Sequence, residues 1–321
     1  MPKTRYHNID NVSTDKTLKE FRQWREERRR KKKDYSYVVP NTPPRLSYLS
    51  ENSLESTITW IGHSTFFLQY EGMNIITDPI WARRLGFEKR LGQPGIPLSE
   101  VPPIDLILIS HSHYDHLHIA SIRKLYRAGT TLVVPVGLKR KMLRKGFRNC
   151  MEMEWWQEIK LGKIKLTFVP TQHWTRRTPW DTNTSHWGGY ILEPAESENK
   201  RLSPNLYFAG DSGYFPGFKE IGNRYKIDIA LMPIGAYEPE WFMTSQHVNP
   251  EEAIQAFLDV GAETMIPMHY GTFRLADDTA REALDRMESA RVKHGISENR
   301  IRTLSYGETL VVQSENRTSG Q

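Results

Sequence analysis

Residues 109–118 read ISHSHYDHLH, four histidines and an aspartate in ten positions. Imidazoles crowded this closely need something that uses their lone pairs: a metal, a catalytic dyad, or nothing at all. In an extended chain, residues i and i+2 point the same way, so His111 and His113 can grip one cation together. Asp115 and His116, where the chain turns toward the next helix, can point at a second. Two cations roughly 3.5–4 Å apart make a hydrolytic two-metal site. His173, Asp211 and His269 each follow an apolar run, so they are the candidates for the remaining ligands. His173 would complete the first set and His269 the second, with the two oxygens of Asp211 bridging them. A lone histidine at any of these positions would more often be a satisfied core or surface residue; four strand ends in agreement make coincidence a poor account. The donor set suits two Zn²⁺, with Mn or Fe as alternatives. Cys150 is the single cysteine, which excludes a multi-cysteine site.

Asp78 ends the run IITDP and is placed to take the second N–H of a ligating imidazole, with His63 in WIGHSTF a further second-layer candidate. His118 reads as a surface residue and His186 as structural; His7 and His294 lie in polar surroundings.

The elements that must position these residues are short. Residues 57–70 and 73–79 read as a hairpin around Glu71 and Gly72, and 104–110 as a strand buried on both faces. Residues 118–129 have helical spacing with a glycine stop. Further strands are expected at 164–170, 188–194, 205–211, 228–235 and 264–269, with helices at 249–261 and 277–295 and a closing strand near 310. Asn249 caps the first of those helices and Pro250 sits in its first turn. The organisation expected is an N-terminal extension, 1–56, polar, basic and partly helical near 15–32, followed by one α/β domain, 57–321. Loops at one edge of such a sheet converge, which is how distant residues can meet.

The chain has 321 residues, a net charge of +6 at pH 7 and nine tryptophans. No run approaches the roughly 18 apolar residues of a membrane span. The start MPKTRYHNID lacks a secretory apolar run, so a cytoplasmic location is expected. The run REERRRKKK at 25–33 fits a solvated helix end, a nucleic-acid patch or an anionic-membrane patch. Leu18, Phe21 and Trp24 give the preceding segment an apolar stripe compatible with lying at the inner face of a membrane.

The motifs TWIGHST, TDPIW, PPIDLILISHSHYDHL, TQHW, FAGDSGY, PIGAYEPEWFM, QHVNPEEA and HYGTF occur in this order over nearly all of 57–275. The chain resembles the metallo-β-lactamase superfamily and, within it, the N-acyl-phosphatidylethanolamine-hydrolysing phospholipases D and their bacterial relatives. The resemblance implies a four-layer αββα sandwich with two zinc ions held by His111, His113, Asp115, His116, His173, Asp211 and His269. It adds His247 as an active-site histidine off the metals, so that Asp115 and His247 are the catalytic pair. It implies hydrolysis of N-acyl-phosphatidylethanolamine-like lipids to phosphatidic acid and N-acylethanolamine through a metal-bridging hydroxide. Two divalent ions against Asp115, Asp211 and hydroxide leave a charge of about +1, which attracts an anionic ester. Trp174, Trp241, Phe242 and Met243 are the aromatic and apolar candidates for the lipid, although core packing is the commoner role for such residues. The alternative activity is that of a lactonase or other carboxylic-ester hydrolase on the same fold. Nucleic acid is not expected as a partner, because too little chain separates Asp211 from His269 to insert a second domain. Relatives of this kind are often homodimers.

Overall fold

The computed structural model describes residues 4–195 and 203–312. The chain enters through α1 (Leu18–Arg30) and α2 (Leu46–Glu51). Strands β1 (Ser56–Gly62), β2 (Thr65–Tyr70) and β3 (Met73–Thr77) follow, then a small hairpin, β4 (Arg84–Leu85) and β5 (Glu88–Lys89). Next come β6 (Leu106–Leu108), α3 (Ile119–Leu125), β7 (Thr131–Pro135), α4 (Lys139–Arg144) and β8 (Cys150–Met153). The second half holds β9 (Glu158–Leu161), β10 (Ile164–Val169), β11 (Gly189–Pro194), β12 (Leu206–Phe208), α5 (Gly217–Arg224), β13 (Ile229–Pro233) and α6 (Glu240–Met243). It ends with α7 (Pro250–Asp259), β14 (Thr264–Met268), α8 (Ala280–Lys293) and β15 (Thr309–Val312).

The apolar runs form strands because alternate residues bury on opposite faces. In β2, Phe66, Leu68 and Tyr70 join the large core between the sheets, while Phe67 turns outward under α3 and α4. In β6, Leu106 and Leu108 face inward and Ile107 outward; in β7, Val133 faces inward and Leu132 and Val134 outward. Two sheets result, ordered β15-β1-β2-β3-β6-β7-β8 and β14-β13-β12-β11-β10-β9. Ile122, Leu125 and Met142 cover the outer face of the first, and Phe218, Ile254, Phe257 and Met287 pack on the second. The architecture is the four-layer αββα sandwich. A buried hydrogen bond from the Tyr190 hydroxyl to the carbonyl of Ile109 (2.8 Å) spans the two sheets.

Pairing fixes the direction of each strand. β1 and β3 flank β2 antiparallel, and β6 runs parallel to β3. β10 and β12 both pair antiparallel with β11, and β13 and β14 continue parallel to β12. The C-terminal ends of β1, β3 and β6 thus lie at one edge of the first sheet, and those of β10, β12 and β14 at one edge of the second. Residues 63, 78, 111, 173, 211 and 269 follow those six ends. The helices begin with the expected chemistry: Asn249 and Thr279 form capping boxes with Glu252 and Glu282, and Pro250 opens α7.

The run 57–70, expected as one arm of a hairpin, is itself folded in two. Gly62 (φ 123°) and His63 (φ 56°) turn the chain between β1 and β2. Long-range bonds hold that turn: His63 N–H donates to Thr272 Oγ1 (2.6 Å), and the His63 carbonyl accepts from Trp60 Nε1–H (2.9 Å) and His269 N–H (3.2 Å). β8, β9, α2 and α5 also form outside the expected elements. Among the described residues no helix is long and apolar enough to cross a membrane.

Several tryptophans use their one donor to brace loops. Trp155 Nε1–H donates to the Trp187 carbonyl (2.6 Å), and Trp187 Nε1–H to the Thr171 carbonyl (3.1 Å). Trp60 is fully buried, with its ring 5.1 Å from Tyr270 and 4.7 Å from Tyr306. It therefore carries both core volume and the His63 turn. Trp60→Ala is expected to lower unfolding stability by about 3–5 kcal/mol, read by urea denaturation; a loss below about 1 kcal/mol would contradict this role.

Candidate metal centre

The six strand ends bring nine side chains into one cleft between the sheets. His111 Nε2 lies 2.9 Å from His113 Nδ1, which lies 3.2 Å from His173 Nε2. Beside this trio, His116 Nε2 is 3.2 Å from Asp115 Oδ2, 3.3 Å from His269 Nε2 and 3.1 Å from Asp211 Oδ2. His269 Nε2 is 3.1 Å from Asp211 Oδ2 and 3.6 Å from Asp115 Oδ2. Asp211 Oδ2 also stands 3.9 Å from both His111 Nε2 and His173 Nε2. One oxygen of Asp211, rather than one oxygen for each set as expected from sequence, faces both groups; Oδ1 is buried without a hydrogen-bond partner.

The far side of most of these imidazoles fixes where the lone pair goes. Ser110 Oγ–H donates to Asp78 Oδ2 (2.5 Å), leaving an Oγ lone pair to accept from His111 Nδ1–H (2.9 Å). His116 Nδ1–H donates to Asp78 Oδ2 (2.7 Å), and His173 Nδ1–H to the Gln246 carbonyl (2.9 Å). His111 and His173 therefore turn a bare Nε2 into the cleft, and His116 turns its Nε2 there too, bare once a cation takes the place of its proton. Asp78 also accepts the Ser110 N–H at Oδ1 (2.7 Å). His63 Nε2 sits 3.0 Å from Asp115 Oδ2 and orients that carboxylate by donating to it.

Burial pushes His111 and His173 well below the ordinary imidazole range and His113 down to about 4, so these three rings are neutral. At His116 the carboxylates overcome the opposing effect of burial: Asp211, Asp115 and Asp78 hold it well above that range. His269 is likewise pushed up to about 9 against burial, chiefly by Asp211. Among the described residues, no lysine or arginine lies within ion-pair distance of Asp78, Asp115 or Asp211. Three carboxylates this close, Asp78 and Asp211 buried and Asp115 half-buried, need positive charge, from protons on His116 and His269 or from a cation in their place. The spacing tests the second choice. Donors about 2.1 Å from a tetrahedral zinc stand about 3.4 Å apart. The separations of 3.1–3.6 Å in the second set bracket that edge length, and those of 2.9 and 3.2 Å in the first fall a little short of it. His63 also comes within reach of the second set, and His173, Asp211 and His247 make a looser group.

His247 Nδ1 lies 4.0 Å from Asp211 Oδ2, buried and without a hydrogen-bond partner, and burial lowers the ring to about 4. The Trp174 ring is 4.7 Å from that of His113. Trp241 is 43% exposed and donates Nε1–H to Glu27 (2.9 Å). Phe242 and Met243 are buried, packed with Ala236 and Ala276 beneath Trp24 of α1. His118, expected at the surface, is half-buried and caps α3 through Ser121. His186 is wedged between the rings of Tyr6 and Trp155, a packing role. Ser110 and the Gln246 carbonyl escaped the sequence reading. Ser110 adjoins the histidine motif and so had a signal; a backbone carbonyl has none.

The beta-lactamase superfamily domain matches residues 73–270. The chain is 36% identical over 233 residues to "N-acyl-phosphatidylethanolamine-hydrolyzing phospholipase D 1" of Caenorhabditis elegans, covering 67% of this chain and 64% of that protein. The Saccharomyces cerevisiae protein named "N-acyl-phosphatidylethanolamine-hydrolyzing phospholipase D, mitochondrial" is 33% identical over 243 residues, 72% of this chain and 50% of its own length. Against both, the match spans less than two thirds of the relative. A UPF0173 metal-dependent hydrolase of Methanopyrus kandleri is 32% identical over 219 residues, 67% of this chain and 84% of that one. The same fold occurs in Igni18, a metallo hydrolase from Ignicoccus hospitalis (TM-score 0.62, 24% identity, 81% of this chain and 99% of that one). It occurs also in the isothiocyanate hydrolase from Delia radicum gut bacteria (TM-score 0.65, 17% identity, 80% and 99%). With the superfamily domain covering most of the sandwich and the strand-end residues converging in its cleft, the chain belongs to the metallo-β-lactamase superfamily.

Proposed function

We propose that the chain is a zinc-dependent phosphodiesterase of phospholipase D type, hydrolysing N-acyl-phosphatidylethanolamine-like lipids to phosphatidic acid and N-acylethanolamine. The observation that carries this reading is the meeting of two donor sets at Asp211 Oδ2, in a chain 36% identical to a relative named for that reaction. In this reading His111, His113 and His173 would hold one ion and Asp115, His116 and His269 the other, with Asp211 within reach of either. Such ions would supply Lewis acidity toward a phosphoryl oxygen and a water of pKa roughly 7. Asp78 and Ser110 keep His111 and His116 in the ligating tautomer, and His63 holds the Asp115 carboxylate. With its pKa held down at about 4, His247 is neutral near pH 7 and keeps one N–H to donate to a substrate oxygen. As the P–O bond to the N-acylethanolamine breaks, water supplies hydroxyl to phosphorus and its other proton to the departing oxygen, toward which His247 is proposed to direct its N–H as a hydrogen-bond donor. Trp174 and Trp241 are the proposed contacts for lipid, with Phe242 and Met243 beneath them as support for the loop.

The reading includes peripheral contact with anionic lipid through α1. That helix turns Leu18 (79% exposed) and Phe21 (45%) outward, beside the exposed Arg22, Arg25 and Arg29.

Incubation with N-acyl-phosphatidylethanolamine should yield phosphatidic acid and N-acylethanolamine by mass spectrometry, with activity lost to chelator and regained on adding zinc. Turnover of a lactone but of no phosphodiester would overturn the assignment in favour of a carboxylic-ester hydrolase. His247→Gln should keep about two zinc per chain yet lose on the order of 10²–10⁴ in kcat; an undiminished kcat removes His247 from the chemistry. Replacing Arg22, Arg25 and Arg29 together by Gln should weaken binding to phosphatidylglycerol vesicles, and more so at low salt than at high. An equal effect at both salt concentrations would refute the electrostatic contact.

A further inference from the structure

The residues before β1 lie outside the matched superfamily domain, yet they reach into its centre. Asn8 is 8% exposed. Its Oδ1 accepts two hydrogen bonds, from the backbone N–H of His173 (3.0 Å) and from Trp187 Nε1–H (3.1 Å). The same indole N–H reaches the Thr171 carbonyl (3.1 Å), so Asn8 ties His173 to the tryptophan that braces its loop. Asn8 is itself held in place. Its Nδ2–H donates to the Val12 carbonyl (3.0 Å), and its carbonyl accepts from Asn11 N–H (3.1 Å). Two residues earlier, Tyr6 N–H donates to the Asn183 carbonyl (2.8 Å) and the Tyr6 ring sits 4.6 Å from that of His186.

The segment then crosses to the loop on the other side of His173. Lys16 Nζ donates to Ser245 Oγ (3.2 Å), one residue before the Gln246 carbonyl that fixes His173 Nδ1. Trp24 stacks on Phe242 at 5.4 Å and 10°, and Arg28 Nε pairs with Asp277 Oδ1 (3.3 Å). His173 is thereby held at its backbone N–H directly by the N-terminal segment, and at its ring through a loop that the same segment grips.

We infer that Asn8 is a positioning residue for His173, and that through it the N-terminal segment is a working part of the metal centre rather than an appendage. The inference rests on the proposed zinc site. A buried N–H left without its acceptor pulls the His173 backbone toward another partner, and a donor set spaced this tightly tolerates little displacement.

The test is zinc affinity of the full chain, measured by competition with a chromogenic chelator, alongside the melting temperature of the zinc-free protein. Asn8→Ala should weaken zinc binding on the order of 10–100-fold. Asn8→Asp keeps the Oδ1 acceptor but loses the donation to the Val12 carbonyl, so it should recover only part of the loss. A role confined to general stability would instead lower the zinc-free melting temperature of both variants without separating their affinities. Should Asn8→Ala not fold, Asn8→Ser, too short to meet both donors, replaces it in the comparison. Wild-type affinity in the alanine or serine variant, or an affinity that falls only in step with the zinc-free melting temperature, overturns the inference and leaves the zinc reading intact. A wild-type chain that takes up no zinc overturns both.

Discussion

The arrangement depends on where one aspartate sends its hydrogen bonds. Asp78 accepts from Ser110 at both oxygens and from His116 at Oδ2. Through Ser110 it also governs His111. A single buried carboxylate thus decides which nitrogen of two imidazoles faces the cleft, and in both it is Nε2. Without that constraint, an imidazole could turn its N–H inward, and two donors 3 Å apart would repel what they are spaced to hold. Asp78 itself has φ 34°, an unfavourable backbone conformation for a residue with a side chain, as do His63 (56°) and His269 (61°). Long-range hydrogen bonds hold those strand ends where local preference would not.

A second layer of constraint comes from donors that tryptophan side chains contribute. Trp60 holds the His63 carbonyl and Trp187 the Thr171 carbonyl, each a large buried ring with one polar atom directed at a loop. This accounts for part of the tryptophan content noticed in the sequence: the rings fill the sandwich, and their N–H groups restrain the backbone that leaves it. The N-terminal segment adds to the same layer from outside the sheets, which is why Phe242 and Met243 are buried under Trp24.

Much of this was legible beforehand. The unbroken apolar run at 104–110 announces burial on both faces, and His111, His173, Asp211 and His269 stand at the ends of apolar runs. Asp78 was legible for the same reason. What escaped was whatever depends on contacts between distant residues. The break at His63 has a glycine as its only local signal, and the bonds from Thr272 and Trp60 that fix it have no periodicity. Asn8 lies in a polar stretch resembling any surface tail. The Gln246 carbonyl carries no residue identity at all. β8 has no clean alternation, and β9 alternates for only four residues after a basic and aromatic stretch, too short a run to stand out.

The order of strands has a consequence for how the protein is made. The first sheet begins with β1 but is closed at that edge by β15, the last strand of the described chain. Both donor sets also draw from each sheet: His111, His113, Asp115 and His116 follow β6, whereas His173, Asp211 and His269 follow strands of the other. Neither half of a nascent polypeptide therefore contains a finished set, and the amino-terminal sheet must wait for β15 to be synthesised before its rim is sealed.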